Sequence, residues 1–421
     1  MQSDLPLTDA LGVDFGSSNT AAGALFADGP RLVPLEKGAE TIPTAVFFED
    51  DGGDMLIGAA ADAAMLEGEE GRYMRALKLV LGAPLMRETR RIGRRQVTLI
   101  DVVAQFLSVV KARAEAGAGR RFTRVVSGRP VRFHADPARD AQAEADLREA
   151  YLAAGFAEVT FLPEPEAAAI GYGAAALDGA AGLGLIVDIG GGTSDFTLFR
   201  ADPDAPRGLA LLGSGGLRVG GADFDRQLGF DHVAPLLGKG SPIRVEIGSG
   251  AHPAPQGIYR DLASWEKIPF LYTAQTRREV EKMRRLAEAP EKLKRLERCL
   301  ELELGHELAF AVEAAKIAAN GGGEDGVRLG MLEAGLRAPL DGADLRGSTD
   351  PWAEKIAAAA AETLATAGVG PEAVGTVFLV GGSSLMHPVR DAMAALCPGA
   401  EQRSARAFTA VGEGLALAAG G

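Results

Sequence analysis

Two short stretches of this chain place a carboxylate, glycines and hydroxyls in tight turns between apolar runs. In LGVDFGSSNT, Asp14 ends an apolar run and Gly16, Ser17, Ser18 and Asn19 follow. In LIVDIGGGTS, Asp188 is followed by Gly190, Gly191, Gly192 and Thr193. Backbone N–H groups in such a turn converge on an anion where no Cβ blocks approach, and phosphate is the usual anion. Two such turns facing each other would hold the phosphates of one nucleotide from both sides. Asp14 and Asp188 would then stand where a Mg²⁺ and its waters must be, because Mg²⁺ keeps several waters and needs few direct protein ligands. The hydroxyls of Ser17, Ser18 and Thr193 suit phosphate oxygens. One such hairpin alone reads more readily as ordinary turn geometry. The matched pair, with a third glycine turn at Gly381-Gly382 after another apolar run, favours phosphate.

The elements that must carry these turns alternate. Each turn sits between two apolar stretches and reads as a β-hairpin. Between the two hairpins, residues 101 to 117 and 137 to 155 have helical patterns, and RVVSGRPV (124 to 131) reads as a strand. EVTFLPEPEAAAIGYGAAAL reads as a strand, a short loop and a helix. After the second hairpin, strands run through about Val219. Residues 277 to 320 read as a pair of long helices broken at Pro290, with a solvated charged face. Asp350-Pro351 is a favourable helix start, since Asp caps and Pro fits the first turn. AVGTVFLVGGSSLMHPVRDAM reads as a buried strand, a glycine turn and a helix. The alternation predicts an α/β protein built from two related halves.

Composition excludes several classes. The 421 residues suggest about two to three domains. With 47% hydrophobic and 24% charged residues, the chain has ample core for a soluble globular protein. A formal net charge of −13 argues against a general nucleic-acid binder. No apolar run is long enough to predict a membrane span, and the start lacks signal-peptide character. Cys299 and Cys397 form neither a metal spacing nor a disulfide framework, which fits a reducing cytoplasm. No GxxxxGK[ST] occurs. GGGEDG (321 to 326) matches GxGxxG but follows a helix, so it reads as a loop. The five histidines are scattered and read as structural or exposed.

Taken in order, the motifs resemble the actin-like ATPase superfamily and, within it, the DnaK-type seventy-kilodalton heat-shock chaperones. GVDFGSSNT and VDIGGGTSD resemble that family's two phosphate loops. RALKLVLG resembles the segment with its phosphate-contacting lysine, here Lys78. GRPVRF holds Pro130 where the family has a proline implicated in interdomain signalling. PEPEAAAIGYG resembles the segment with its water-orienting glutamate, here Glu164, with Glu166 as an alternative acid. VGGADFD, with Gly220 and Gly221, resembles the family's GGEDFD. VEAAKIAAN resembles its adenosine-contacting helix, which implies nucleotide contacts for Glu313, Lys316 and Asn320. FLVGGSSLMHPV resembles its adenosine loop, with Gly381, Gly382 and Ser383. The segment DLASWEKIPFLY and the total length look most like the short YegD-like branch.

The resemblance implies a two-lobed actin-like ATPase (ribonuclease H-like) fold, with duplicated mixed sheets flanked by helices around a nucleotide cleft. Lobe I would be residues 1 to 180 with the last helix, 404 to 421, and lobe II residues 181 to 403. It implies an ATP- and ADP-binding, Mg²⁺-dependent ATPase, slow and chaperone-like, with an unknown protein partner or client and no nucleic acid or membrane. Lys78, Glu164, Asp188, Thr193 and Asp14 would be the catalytic set, and Asp14 and Asp188 would hold Mg²⁺ through water. ATP hydrolysis depends on positioning and charge stabilisation more than on covalent chemistry, which suits these residue types. Two alternatives stand beside this: a nucleotide-sensing module with negligible turnover, and a filament-forming actin relative. Two features depart from the family pattern. Ile317 and Leu385 occupy the positions of the arginines that sandwich adenine, which predicts weaker nucleotide binding. The hydrophobic linker and peptide-binding domain are not found after FTAVGEGLALAAGG.

Overall fold

The computed structural model describes residues 5–50, 55–92, 95–173, 176, 182–202, 204–205, 208–246, 248–404 and 409–421. The expected lobe boundary at 180/181 lies outside these residues, as does the stretch 405–408 that leads into the last helix. The described residues fall into two compact units, residues 1–221 with 353–421, and residues 222–352.

The larger unit contains two main sheets built on one plan. In the first, the strand Ala10–Phe15 runs antiparallel to Asn19–Phe26, which continues to Gly29–Leu32. On its other side Ala10–Phe15 pairs in parallel with Arg124–Arg129, and that strand with Glu158–Pro163. In the second, Leu183–Ile189 runs antiparallel to Ser194–Ala201, which continues to Leu209–Leu217. Its other side pairs in parallel with Thr376–Val380, and that strand with Glu401–Arg403. Three antiparallel strands followed by two parallel ones therefore occur twice. The parallel strands need helical crossovers. Leu99–Ala118 and Pro137–Ala153 serve the first sheet, and Gly342–Thr366 and His387–Leu396 the second.

Local chemistry explains these helices. Thr98 accepts from the Asp101 backbone and Asp101 returns the bond, closing a capping box. Asp136 caps the helix that opens with Pro137. The central strands are buried on both faces and read as continuous apolar runs, as parallel strands under helices do. Phe15 of the first strand packs against Phe106 of the helix above it, with ring centroids 5.9 Å apart.

Each half also ends in a helix, Glu164–Tyr172 in the first and Ala410–Ala419 in the second, and these two pack on each other through glycines. A Cβ on Gly414 would stand 1.7 Å from the Ala167 carbonyl oxygen, and one on Gly171 would stand 2.2 Å from that of Ala410. Gly12, on the first strand, approaches the Ala416 amide at 2.6 Å in the same sense. Backbone here lies against backbone, at distances only glycine permits.

The smaller unit is mainly helical. The sequence predicts two long helices over 277 to 320, and the structure has three: Ala274–Leu286, Pro290–Glu301 and Gly305–Asn320. The extra break lies at Glu303, which takes a left-handed φ of 57°, while the Leu304 amide bonds back to the Cys299 carbonyl at 2.9 Å. The helix expected to start at Asp350-Pro351 starts earlier, at Gly342, and holds Pro351 inside it. Asp341 is the better cap, since its Oδ1 accepts from the amides of Ala343 and Asp344. The carbonyl that Pro351 would crowd belongs to Gly347, and the break between the two units falls directly after, at Trp352/Ala353. Likewise, no loop separates Pro163 from the following helix: the strand ends at Pro163 and Glu164 is the first helical residue.

Candidate functional site

The two hairpin turns are built alike. The Gly16 amide donates to the Asn19 carbonyl at 3.0 Å, and the Gly190 amide to the Thr193 carbonyl at 3.1 Å. Ser17-Ser18 and Gly191-Gly192 are the tips. These tips abut: a Cβ on Gly191 would stand 2.6 Å from Ser18 Oγ and 3.1 Å from Ser17 Cβ. Gly220 packs on the second tip, where a Cβ would meet the Gly192 amide nitrogen at 2.5 Å. The Gly221 amide donates to the Gly190 carbonyl at 2.9 Å. A Cβ on Gly221 would in turn crowd Ser383 Oγ, at 2.2 Å. Gly381 has φ +75°, and a Cβ on it would stand 2.3 Å from the Ile189 carbonyl oxygen and 3.1 Å from Asp188 Oδ1. The structure thus brings Gly16 to Asn19, Gly190 to Thr193, Gly220, Gly221 and Gly381 to Ser383 into one neighbourhood of the larger unit.

Beside the turns lies a group of ionisable side chains. Asp14 is the last residue but one of the first strand, opposite Ala21, and Asp188 holds the same place in its counterpart, opposite Asp195. Lys78 sits in the short 3₁₀ turn Leu77–Val80, and its ammonium forms a buried ion pair with Glu164 at the start of the helix Glu164–Tyr172. Burial first, and then the Glu164 charge, push the Asp14 carboxyl up to about 7, with Lys78 opposing. Burial, followed by Glu164, Asp14 and Asp195, holds Asp188 well above the carboxylate range. Asp195 is pushed up to about 7 by burial and Glu164, although bonds from Thr193 and the Val131 amide favour its charged form. For Lys78, burial disfavours the ammonium, but Glu164, Asp14 and Asp195 outweigh it and hold the group above its ordinary value. Several acids therefore compete for one buried cation.

Glu166 lies elsewhere, accepting a bond from Ser214 Oγ at 3.2 Å, with burial raising its carboxyl. The Pro130 segment reaches the acids through its neighbour, since the Val131 amide donates to Asp195 Oδ1 at 2.7 Å.

In the smaller unit, Glu313, Lys316 and Asn320 share the helix Gly305–Asn320. Lys316 is buried there, with its Nζ 2.6 Å from Asp225 Oδ1. Trp265 Nε1 donates to Asp225 Oδ2 at 3.5 Å. Burial raises the Asp225 carboxyl against the pull of Lys316. Sequence reasoning missed Asp225 and Trp265. Asp225 lay within the quoted VGGADFD, but nothing in the pattern says that it faces Lys316. The next residue along the helix, Ile317, is 64% exposed.

The duplicated sheets, the paired turns and the acid–lysine group define an actin-like ATPase fold. The family model for Hsp70 protein matches residues 10–246, more than half of the chain, and the chain belongs to the Hsp70 family. It is similar to the chaperone protein HscA homolog of Burkholderia multivorans, 31% identical over 246 residues that cover 54% of this chain and 38% of that protein. It is similar also to the chaperone protein DnaK of Thermoplasma volcanium, 29% identical over 271 residues that cover 63% of this chain and 41% of that protein. The chain spans about two fifths of the length of the curated relatives it matches. Among the described residues, no helix is long and apolar enough to cross a membrane.

Proposed function

We propose that this chain binds ATP and ADP with Mg²⁺ and hydrolyses ATP slowly, as a chaperone-like protein whose nucleotide state is read by a protein partner or client in the cytoplasm. The observation that carries this reading is the buried Lys78–Glu164 pair set beside two abutting glycine turns, each headed by an aspartate. The turns offer backbone N–H groups, and the hydroxyls of Ser17, Ser18 and Thr193, to phosphate oxygens. Lys78 neutralises charge on the terminal phosphate. Glu164 orients the attacking water, and Pro165 restricts the backbone of Glu164. Burial first, and then the neighbouring acids, raises the carboxyls of Asp14, Asp188 and Asp195, and a cation at this site would favour their charged forms. Among the described residues, no three acidic, histidine or cysteine side chains are drawn close enough to ligate a metal directly. Asp14 and Asp188 would hold Mg²⁺ through its waters. When bound, Mg²⁺ would offset the negative charge of the phosphates.

Lobe closure belongs to the same reading. Residues 1 to 180 with 404 to 421 would close on residues 181 to 403, because each half-site is incomplete alone and nucleotide favours the state that joins them. Glu313, Lys316, Asn320 and Gly381 to Ser383 would take the adenosine, with Lys316 held by Asp225. A second reading, nucleotide sensing with negligible turnover, draws support from the exposed, apolar Ile317. That side chain lacks the cation–π attraction worth about 0.5–2 kcal/mol per contact. The placement in the short branch resembling YegD is part of this proposal.

The test is ATP binding and single-turnover hydrolysis with Mg²⁺, with Lys78→Ala alongside. Hydrolysis lost in Lys78→Ala is the expected result. Binding without turnover in the unsubstituted protein would select the sensing module, and no binding would remove both readings.

A further inference from the structure

The turn that carries Lys78 is held by groups outside the phosphate turns. Ala76, just before it, takes a left-handed φ of 60°. The Leu79 side chain fills the space beside Gly192, where a Cβ would stand 2.0 Å from Leu79 Cδ2. Two side chains then grip the backbone. His134 Nε2 lies 2.9 Å from the Leu81 carbonyl oxygen, and Arg218 Nη2 donates to the Leu79 carbonyl. The two meet each other, with Arg218 Nη1 3.2 Å from His134 Nδ1.

This geometry fixes the protonation of His134 without reference to any titration. A carbonyl oxygen can only accept, so Nε2 carries a hydrogen. A guanidinium can only donate, so Nδ1 must be bare. His134 is therefore the neutral Nε2–H tautomer. A second proton on Nδ1 would set N–H against N–H and take away the acceptor that Arg218 uses.

Arg218 is anchored to the second phosphate turn. It follows the strand Leu209–Leu217, and its neighbours are tied down: Ser194 Oγ donates to the Val219 carbonyl at 2.8 Å, and the Gly221 amide to Gly190 at 2.9 Å. One side chain thus links the frame of Gly190–Gly192 to the backbone beside Lys78. Asp140, on the helix Pro137–Ala153, accepts from the His134 and Phe133 amides at 3.2 and 2.6 Å, and Arg139 of that helix adds positive charge. Burial, followed by Arg218 and Arg139, disfavours the imidazolium, with Leu81 and Asp140 opposing.

We propose that Arg218 and His134 are positioning residues for Lys78, forming a clamp that holds the Leu77–Val80 turn on the second phosphate turn and opens when His134 takes a second proton. The clamp joins two segments far apart in sequence. Its arginine is exposed, so removing it takes nothing from the core.

The test is hydrogen–deuterium exchange of the amides from residue 77 to 83, corrected for intrinsic rates, at about pH 7.5 and about pH 5, on either side of the ordinary histidine pKa. Protection in the unsubstituted protein should fall at least about fivefold on acidification. Arg218→Met should show the weaker protection at both pH values, Arg218→Lys should recover part of it, and His134→Gln, which cannot titrate in this range, should show no step. Circular dichroism checks the fold, and Arg218→Gln replaces Arg218→Met if the latter does not fold. Equal protection at both pH values in the unsubstituted protein, or full protection in Arg218→Met, would overturn the clamp. A kinetic arm rests on the ATPase reading: Arg218→Met should slow single-turnover hydrolysis about tenfold with ATP affinity nearly unchanged. Absence of hydrolysis in the unsubstituted protein would count against that reading, and the exchange measurement would still decide the clamp.

Discussion

The two hairpins share a frame and differ in what they present. In the first, Asp14 faces Ala21 across the strand pair and the tip is Ser17-Ser18. In the second, Asp188 faces Asp195 and the tip is Gly191-Gly192. The same turn bond closes both, from Gly16 to Asn19 and from Gly190 to Thr193. The first hairpin supplies hydroxyls and one acid. The second supplies bare backbone and a pair of buried acids, one of which bonds the segment after Pro130. The two hairpins keep one backbone geometry, while their side chains differ so that each presents what the other does not.

This difference can be broken by mutation, and the largest effects should come at the acids. Glu164→Ala and Asp188→Ala should each lower single-turnover ATP hydrolysis by at least about tenfold with the far-UV spectrum unchanged. Full turnover in both would remove the site assignment.

The next effect concerns equivalent glycines. A Cβ on Gly16 would meet the Asn19 carbonyl oxygen at 2.4 Å, whereas one on Gly190 has nothing nearer than the Thr193 oxygen at 4.0 Å. Thermal or denaturant unfolding should therefore show Gly16→Ala destabilised by about 1–3 kcal/mol and Gly190→Ala by less than about 1. Equal losses would mean that the two turns are closer copies than their contacts imply.

The smallest effect separates the acids by pH. The Asp195 carboxyl rises from 3.8 to about 7 on folding, so the folded chain holds that proton more tightly than the unfolded one. The stabilisation is complete below pH 3.8 and is lost as pH climbs through about 7. Asp195→Asn should flatten the decline in nucleotide-free stability across that window. Ala21, its counterpart, has no proton to lose, and Ala21→Ser should leave the slope unchanged. An unaltered slope in Asp195→Asn would show that the second acid is not the seat of the difference.

The framework was legible because it repeats. Two small-residue turns after apolar runs, each headed by an aspartate, announced both hairpins and the duplicated α/β plan. Helix ends were less legible where two caps competed. Asp350-Pro351 has the local chemistry of a start, but Asp341 has it too and lies earlier. The break at Glu303 carries no glycine or proline at the left-handed position itself. Within the site, glycines and acids showed themselves by type and spacing. The partners of the turn around Lys78 and of Lys316 did not, because Arg218 and His134 reach the Leu79 and Leu81 carbonyls, and Asp225 reaches Lys316, only through tertiary folding. His134 looked like one of five scattered histidines until Leu81 and Arg218 were found on its two nitrogens.

The glycine-to-backbone packing of Ala410–Ala419 bears on the order in which the chain can fold. This helix covers Gly12 on the first strand and Ala167 and Gly171 on the helix headed by Glu164. Those segments leave the ribosome long before residue 410, so through most of synthesis the faces it covers lack their neighbour. The contacts that complete them are among the most distant in sequence that the chain makes, which favours slow consolidation. An intermediate with both sheets formed and the last helix undocked would therefore leave the Glu164 helix only partly packed until synthesis had passed residue 419.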